Sequence, residues 1–269
     1  MRKLCASLLF LAAATQAAAA VETPPVVDVE LVLAVDVSWS MDLDEQVLQR
    51  QGYVDAIRHP EVMAAIKKGD WGRIALTYVE WAGHNLDRVV VPWTIIETPQ
   101  DADAFAEELD RAVIGRMRRT SISSALTRSA ELFDNDIDGM RRVIDVSGDG
   151  PNNMGLLVTA ARDEVLSKGI TINGLPIMIK RGNPGGYFHL EELDIYYEDC
   201  VIGGFGAFMI TVTSAGQFHE AIRRKLILEI ASATPRVVPA QWRAPGSEPR
   251  IDCTIGEQQW RAWRRYDRW

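Results

Sequence analysis

The sequence predicts an α/β doubly wound fold, built on a mostly parallel six-stranded sheet with one antiparallel edge strand. Three observations carry this. Strand-like and helix-like patterns alternate over roughly 200 residues, the arrangement that folds into a sheet covered by helices on both faces. Val29 to Val35 is an apolar run broken only by Glu30, with the length and β-branched content of a strand buried on both sides. That run ends abruptly in Asp36, Ser38 and Ser40, and Leu43 to Ile57 then carries Leu43, Val47, Leu48, Val54 and Ile57 at helical spacing. The polar trio therefore sits on a strand-to-helix turn, and in an open parallel sheet such turns line the carboxyl edge where ligands bind.

The remaining elements follow in order. Pro60 to Lys68 reads as a second short helical segment ending at Gly69. Arg73 to Glu80 and Arg88 to Val91 read as strands joined through Gly83-His84-Asn85, a hairpin that supplies the antiparallel edge. Trp81 and Trp93 flank it as core residues. Thr98-Pro99 opens a helix through Asp101 to Ala112 with acidic residues in its first turns, as the helix dipole favours. A loop from Ile114 to Ile122 precedes a helix from Ser123 to Phe133, and Arg142 to Ser147 is a strand running into Gly148-Asp149-Gly150. A helix over Leu156 to Ser167 stops at Lys168-Gly169, and Ile170 to Ile179 is the fifth strand. Leu190 to Val201 reads as a helix, Ala207 to Val212 as the sixth strand and Ala215 to Ala231 as a long helix.

The ends of the chain are different in character. Residues 1–20 carry Arg2 and Lys3, an apolar segment around Leu8 to Ala14 and Ala18-Ala19-Ala20, the pattern of a cleavable secretory signal peptide. Residues 21–27 are then a short lead-in, 28–231 the folded domain and 232–269 a tail. The protein is expected in the periplasm or outside the cell. Losing Arg2 and Lys3 takes the formal charge from −8 to −10, which excludes a general nucleic-acid binder. Only Cys200 and Cys253 remain, the minimum for one disulfide in an oxidising compartment; two independent buried thiols are the other reading. The tail holds Pro235, Pro239, Pro245 and Pro249, which discourage helix, yet Trp242, Trp260, Trp263 and Trp269 are four of the eight tryptophans. Its arginine-tryptophan run either binds a partner or a membrane surface, or wraps the domain and is pinned by Cys253.

Asp36, Ser38 and Ser40 are one carboxylate and two hydroxyls at i, i+2 and i+4, able to aim oxygens at one point. Hard oxygen donors without sulfur or imidazole suit Mg²⁺, Mn²⁺ or Ca²⁺ and leave positive charge for an acidic ligand to balance. The alternative is plain turn chemistry, with Asp36 capping the next helix. Asp36-Val37-Ser38-Trp39-Ser40-Met41 after a hydrophobic strand resembles the first metal-site motif of von Willebrand factor type A (VWA) domains. The resemblance runs from Asp28 to Ala231. It implies that Thr120, on the loop before a helix, supplies a second oxygen, and that Asp149 is the third motif's aspartate. Thr120 or Ser121 serving only as a helix N-cap is the other reading there. VWA loops usually place glycines before this threonine, whereas here Arg118 and Arg119 precede it. The sequence is similar in particular to a secreted VWA-like family described only as a domain of unknown function.

Other chemistries are absent from the sequence. His59, His84, His189 and His219 are scattered without metal-ligand spacing, so zinc is not expected. There is no Gly-x-Ser-x-Gly elbow and no Walker loop. The resemblance implies a binding module and not an enzyme: a divalent cation on Asp36, Ser38, Ser40, Thr120 and Asp149, Mg²⁺ first, offers an open position to an acidic residue of a protein partner. Two other readings stand beside it. One is a metal-dependent hydrolase whose cation activates water. The other is a structural protein in which Arg118 and Arg119 replace the cation by reaching Asp36 or Asp149.

Overall fold

A computed structural model describes residues 24–179, 190–231 and 249–266. The expected leader, the loop at 181–186, Trp242, Trp269 and the prolines from Pro235 to Pro245 lie outside them. In chain order the elements are β1 (Val26–Val27), β2 (Glu30–Asp36), α1 (Leu43–Arg58), α2 (Pro60–Lys67), β3 (Ile74–Trp81), β4 (Asp87–Ile96), α3 (Pro99–Arg111), α4 (Ile122–Glu131), β5 (Asp138–Gly139), β6 (Arg142–Gly148), α5 (Val158–Ser167), β7 (Thr171–Pro176), α6 (Leu193–Tyr196), α7 (Phe218–Ile230) and α8 (Ile255–Tyr266).

The main sheet runs β4-β3-β2-β6-β7, parallel except for β4, which pairs antiparallel with β3 at the edge. β2 is central and buried along its whole length, as its sequence predicts. Its side chains alternate between two cores, with period two. Leu31, Leu33 and Val35 pack with Tyr53, Phe105 and Phe218 on one face, and Val32 and Ala34 with Ile122, Leu126 and Tyr197 on the other. Full burial of each of these large aliphatic side chains stabilises the fold by roughly 2 kcal/mol. Glu30, the one charge in the run, is tied down by Arg142 Nε at 3.2 Å and Asn135 Nδ2 at 2.9 Å.

Several expectations are corrected. The main sheet has five strands and not six; β1 and β5 form a separate two-stranded pair. The segment expected as a sixth strand lies along β7 through isolated bridges at Gly174–Met209 and Ile177–Val212. Pro176 on β7 accepts a hydrogen bond from Val212 N but has no amide N–H to return, so a regular ladder cannot form. The helix expected over Leu190 to Val201 is α6 followed by a π-helical turn, Tyr197–Val201. The tail contains helix α8, starting after the last proline, Pro249. α1 is a helix where predicted, but Leu43 and Val47 face solvent, whereas Gln46, Gln49 and Arg50 are buried. These polar groups tie α1 to the carboxyl edge of the sheet: Gln46 Nε2 donates to Ser38 O, on the loop after β2, at 3.2 Å and Gln49 Nε2 to Ser147 Oγ, near the end of β6, at 3.0 Å.

A buried charge cluster lies beneath. Lys225 Nζ of α7 is 2.7 Å from Asp145 Oδ1 of β6 and also pairs with Glu229, which accepts from Asn173 Nδ2 at 3.1 Å. Burial, and then Asp145, push the Glu229 carboxyl up to about 7. Burial opposes the charge on Lys225, but the two carboxylates outweigh it and raise its pKa. A disulfide joins Cys200, in the π-helical turn, to Cys253, just before α8. It closes a separation of 53 residues, which in the chain-entropy treatment stabilises the fold by about 4 kcal/mol.

Candidate cation-binding site

Three loops converge at the carboxyl edge of the sheet, from β2, from the segment before α4, and from β6. Asp36 closes β2 and is fully buried. Its Oδ1 accepts from the Ser38 backbone N–H at 2.7 Å, folding the chain back on itself. Ser38 Oγ and Ser40 Oγ share a hydrogen bond of 2.7 Å, and Ser40 Oγ donates to Asp149 Oδ1 at 2.6 Å. The four residues thus form one chain of oxygens bounded by two carboxylates. Asp36 does not cap α1. That cap is Asp42, whose side chain accepts from Glu45 N at 2.8 Å while Glu45 reaches back to Asp42 N at 3.1 Å. Asp36 Oδ2 is left buried with no hydrogen-bond partner among the described residues. Burial, and after it the charge of Asp149, push the Asp36 carboxyl well above the usual carboxylate range.

The second loop is braced from below by Glu80, fully buried at the end of β3. Glu80 pairs with Arg50, accepts from Arg88 Nη2 at 2.7 Å, and receives the Gly115 backbone N–H at 2.9 Å. Gly83 lets this loop approach: a Cβ there would lie 2.7 Å from Arg118 O. Arg119 adopts φ 73°, the left-handed conformation that favours glycine. The guanidinium of Arg119 lies 4.4 Å from the Trp260 ring and that of Arg118 4.2 Å from the Trp39 ring, so the arginines stack on indoles. Ser121, not Thr120, caps α4, accepting from Ser124 N at 3.3 Å. Thr120 is zipped to the third loop through its backbone, donating to Asn153 Oδ1 at 3.1 Å and accepting from Asn153 N at 2.9 Å.

Gly148 opens the third loop. A Cβ there would stand 2.9 Å from Tyr197 Oη and 3.0 Å from Asp36 Oδ2, and among the described residues neither buried oxygen has a hydrogen-bond partner. Between the first, second and third loops and α8 is a cavity of about 20 Å³ lined by Ser40, Thr120, Gly150, Pro151, Asn153 and Gln259, room for one water-sized occupant. The structure thus links Asp36, Ser38, Ser40 and Asp149 by hydrogen bonds and sets Thr120 on the same cavity as Ser40. Among the described residues no group of three His, Cys, Asp or Glu side chains is placed to hold a metal ion. Any cation here would be held largely by hydroxyls, with two carboxylates supplying the charge, a donor set for a hard ion. Sequence reasoning missed Gln259, because a single glutamine in a helix carries no signal of what it faces.

Residues 26–234 match the family described as "Protein of unknown function (DUF1194)", which covers most of the chain. The chain belongs to the DUF1194 family. No curated protein matches it. Among solved structures, this DUF1194 protein is similar to the pilus adhesin SpaC from Lactobacillus rhamnosus GG in its open conformation, at 12% identity and a TM-score of 0.56 over 77% of this chain and 31% of that one. Proximal thread matrix protein 1 from the mussel byssus, with a zinc-occupied MIDAS motif, aligns at 13% identity and TM-score 0.52 over 78% and 49%. A von Willebrand factor type A protein from Catenulispora acidiphila aligns at 15% identity and TM-score 0.51 over 77% and 43%. The chain therefore spans less than half of each of these molecules. At such identities the likeness shows the fold: the chain carries the VWA-type α/β fold.

Proposed function

We propose that residues 28–231 form a VWA-like binding module that takes a protein partner through a divalent cation. Asp36, Ser38, Ser40, Thr120 and Asp149 would hold the cation, with Mg²⁺ the first candidate and Mn²⁺ or Ca²⁺ the others. When bound, the cation supplies an electrophilic position for a carboxylate of the partner. The observation that carries this reading is Asp36 Oδ2, a buried carboxyl oxygen with no hydrogen-bond partner among the described residues, joined through the Ser38 amide to a run of hydroxyls that ends on a second carboxylate. Burial without a partner disfavours the charged form of this carboxyl, and a bound cation would offset that cost and restore the charge. Asp42 and not Asp36 caps α1, and Ser121 caps α4 as one of the two plain readings had it, which leaves the carboxylate of Asp36 and the hydroxyl of Thr120 outside the caps.

Residues 1–20 would direct export to the periplasm or beyond. No helix of the described residues is long and apolar enough to cross a membrane. The pilus adhesin and the mussel protein with its zinc-occupied motif lend the reading a precedent on this fold. The test is capture of envelope proteins on immobilised protein, residues 21–269, in Mg²⁺, followed by elution with EDTA. The expected result is a set of proteins released by EDTA and absent from an Asp36→Ala column. Identical capture by the Asp36→Ala column would refute it.

A further inference from the structure

We propose that α8 is a built-in plug of the cation site, tipped by Gln259, and that an acidic partner gains access only when α8 moves aside. The inference rests on the cation reading above. Gln259 Oε1 is buried with no hydrogen-bond partner among the described residues, and Gln259 lines the same small cavity as Ser40 and Thr120. An amide oxygen is a donor that Mg²⁺, Mn²⁺ and Ca²⁺ accept. It is neutral, so a partner carboxylate, carrying charge, is able to displace it. At about 20 Å³ the cavity holds one water-sized occupant. A carboxylate side chain cannot enter while α8 is seated.

The seat is built from the loops that form the site. Asn152, three residues after Asp149, donates to Glu257 Oε1 at 2.7 Å. Gly256 presses its backbone on the Asn152 carbonyl, where a Cβ would lie 2.1 Å from the oxygen. Arg119, next to Thr120, stacks on Trp260. The Cys200–Cys253 disulfide fixes the base of the helix, and Arg250 reinforces it through Asp199 at 2.8 Å and Glu198 at 2.6 Å. The covalent staple keeps α8 attached after its tip has swung out. The family match ends at residue 234, so α8 lies beyond it.

The test uses Mn²⁺ as the probe on the chain 21–269, reading its affinity by electron paramagnetic resonance and the exposure of bound Mn²⁺ by water-proton relaxation. Gln259→Ala is expected to weaken Mn²⁺ about tenfold, the effect usual for a supporting ligand, and to raise the proton relaxation of the bound ion. Gln259→Glu is expected to tighten Mn²⁺. Free acetate should change the relaxation of Mn²⁺ on Gln259→Ala and on Trp260→Ala, which unseats α8, but not on the wild type. A single cooperative melt in EDTA with a wild-type far-UV circular dichroism spectrum verifies that each variant is folded. Wild-type affinity, relaxation and acetate response in both variants, with Mn²⁺ binding lost only in Asp36→Ala, would overturn the plug and leave the cation site standing. Failure of the wild type to bind Mn²⁺ would overturn both.

Discussion

Replacing Glu229 with Gln should remove much of the dependence of stability on pH. Glu229, Asp145 and Lys225 bring two carboxylates and one ammonium together in the core, leaving one surplus negative charge. Burial and the neighbouring Asp145 lift Glu229 to about 7 from an ordinary value of 4.5. A carboxyl whose folded pKa is raised contributes stability that is fully present below the unfolded value and is lost as pH rises through the folded one. The loss therefore falls between about pH 4.5 and 7 and is complete near pH 8. A shift of that size corresponds to about 3 kcal/mol at 1.36 kcal/mol per pKa unit, or roughly 6–12 °C in Tm for a domain of this size. Asp145 is raised as well, chiefly by burial, and adds in the same direction. Glutamine keeps the oxygen that accepts from Lys225 and Asn173 but cannot ionise. Thermal unfolding in EDTA from pH 5.5 to 8 should show the wild type losing stability and Glu229→Gln losing much less. Parallel curves for the two proteins would refute the reasoning.

Other perturbations address the parts that hold the site. Glu80→Ala strips two arginines and the Gly115 amide of their buried anion; denaturant unfolding should show a loss of about 3–5 kcal/mol. Gly148→Ala places a Cβ against Tyr197 Oη and Asp36 Oδ2, so calorimetry should find about 1–3 kcal/mol of destabilisation together with a lost response to Mg²⁺. Joint replacement of Cys200 and Cys253 by Ser should lower stability by about 4 kcal/mol in the chain-entropy account, read as a shift of the urea midpoint.

The central strand and the loop after it were legible because their signals are local. An unbroken apolar run from Leu31 to Val35 has few options besides a fully buried strand, and Asp36, Ser38 and Ser40 stand out at its end. The capping box at Asp42 and Glu45 was equally readable and would have argued at once that Asp36 is not the helix cap. What stayed hidden depends on contacts between distant segments. In the first turns of α1 the inward face is taken by Gln46, Gln49 and Arg50, which bond to distant segments of the chain. Leu43 and Val47 therefore point outward, while Val54 and Ile57 further along are buried as their spacing predicts. Arg119 stands in the left-handed conformation where a glycine was expected, and its guanidinium stacks on Trp260, a contact far along the sequence that no local pattern announces. α8 was masked by the prolines before it, and its docking depends on a backbone approach that Gly256 permits but does not announce.

Thermal unfolding of residues 21–269 in EDTA, Mg²⁺, Mn²⁺ and Ca²⁺, beside Asp36→Ala, tests the cation site most directly. A ligand that binds only the native state at a hundred times its Kd stabilises it by about 2.7 kcal/mol, here roughly 5–10 °C in Tm. The site predicts a rise of that order with at least one of the three cations and none in Asp36→Ala. Equal midpoints in EDTA and in saturating Mg²⁺, Mn²⁺ and Ca²⁺ would contradict it.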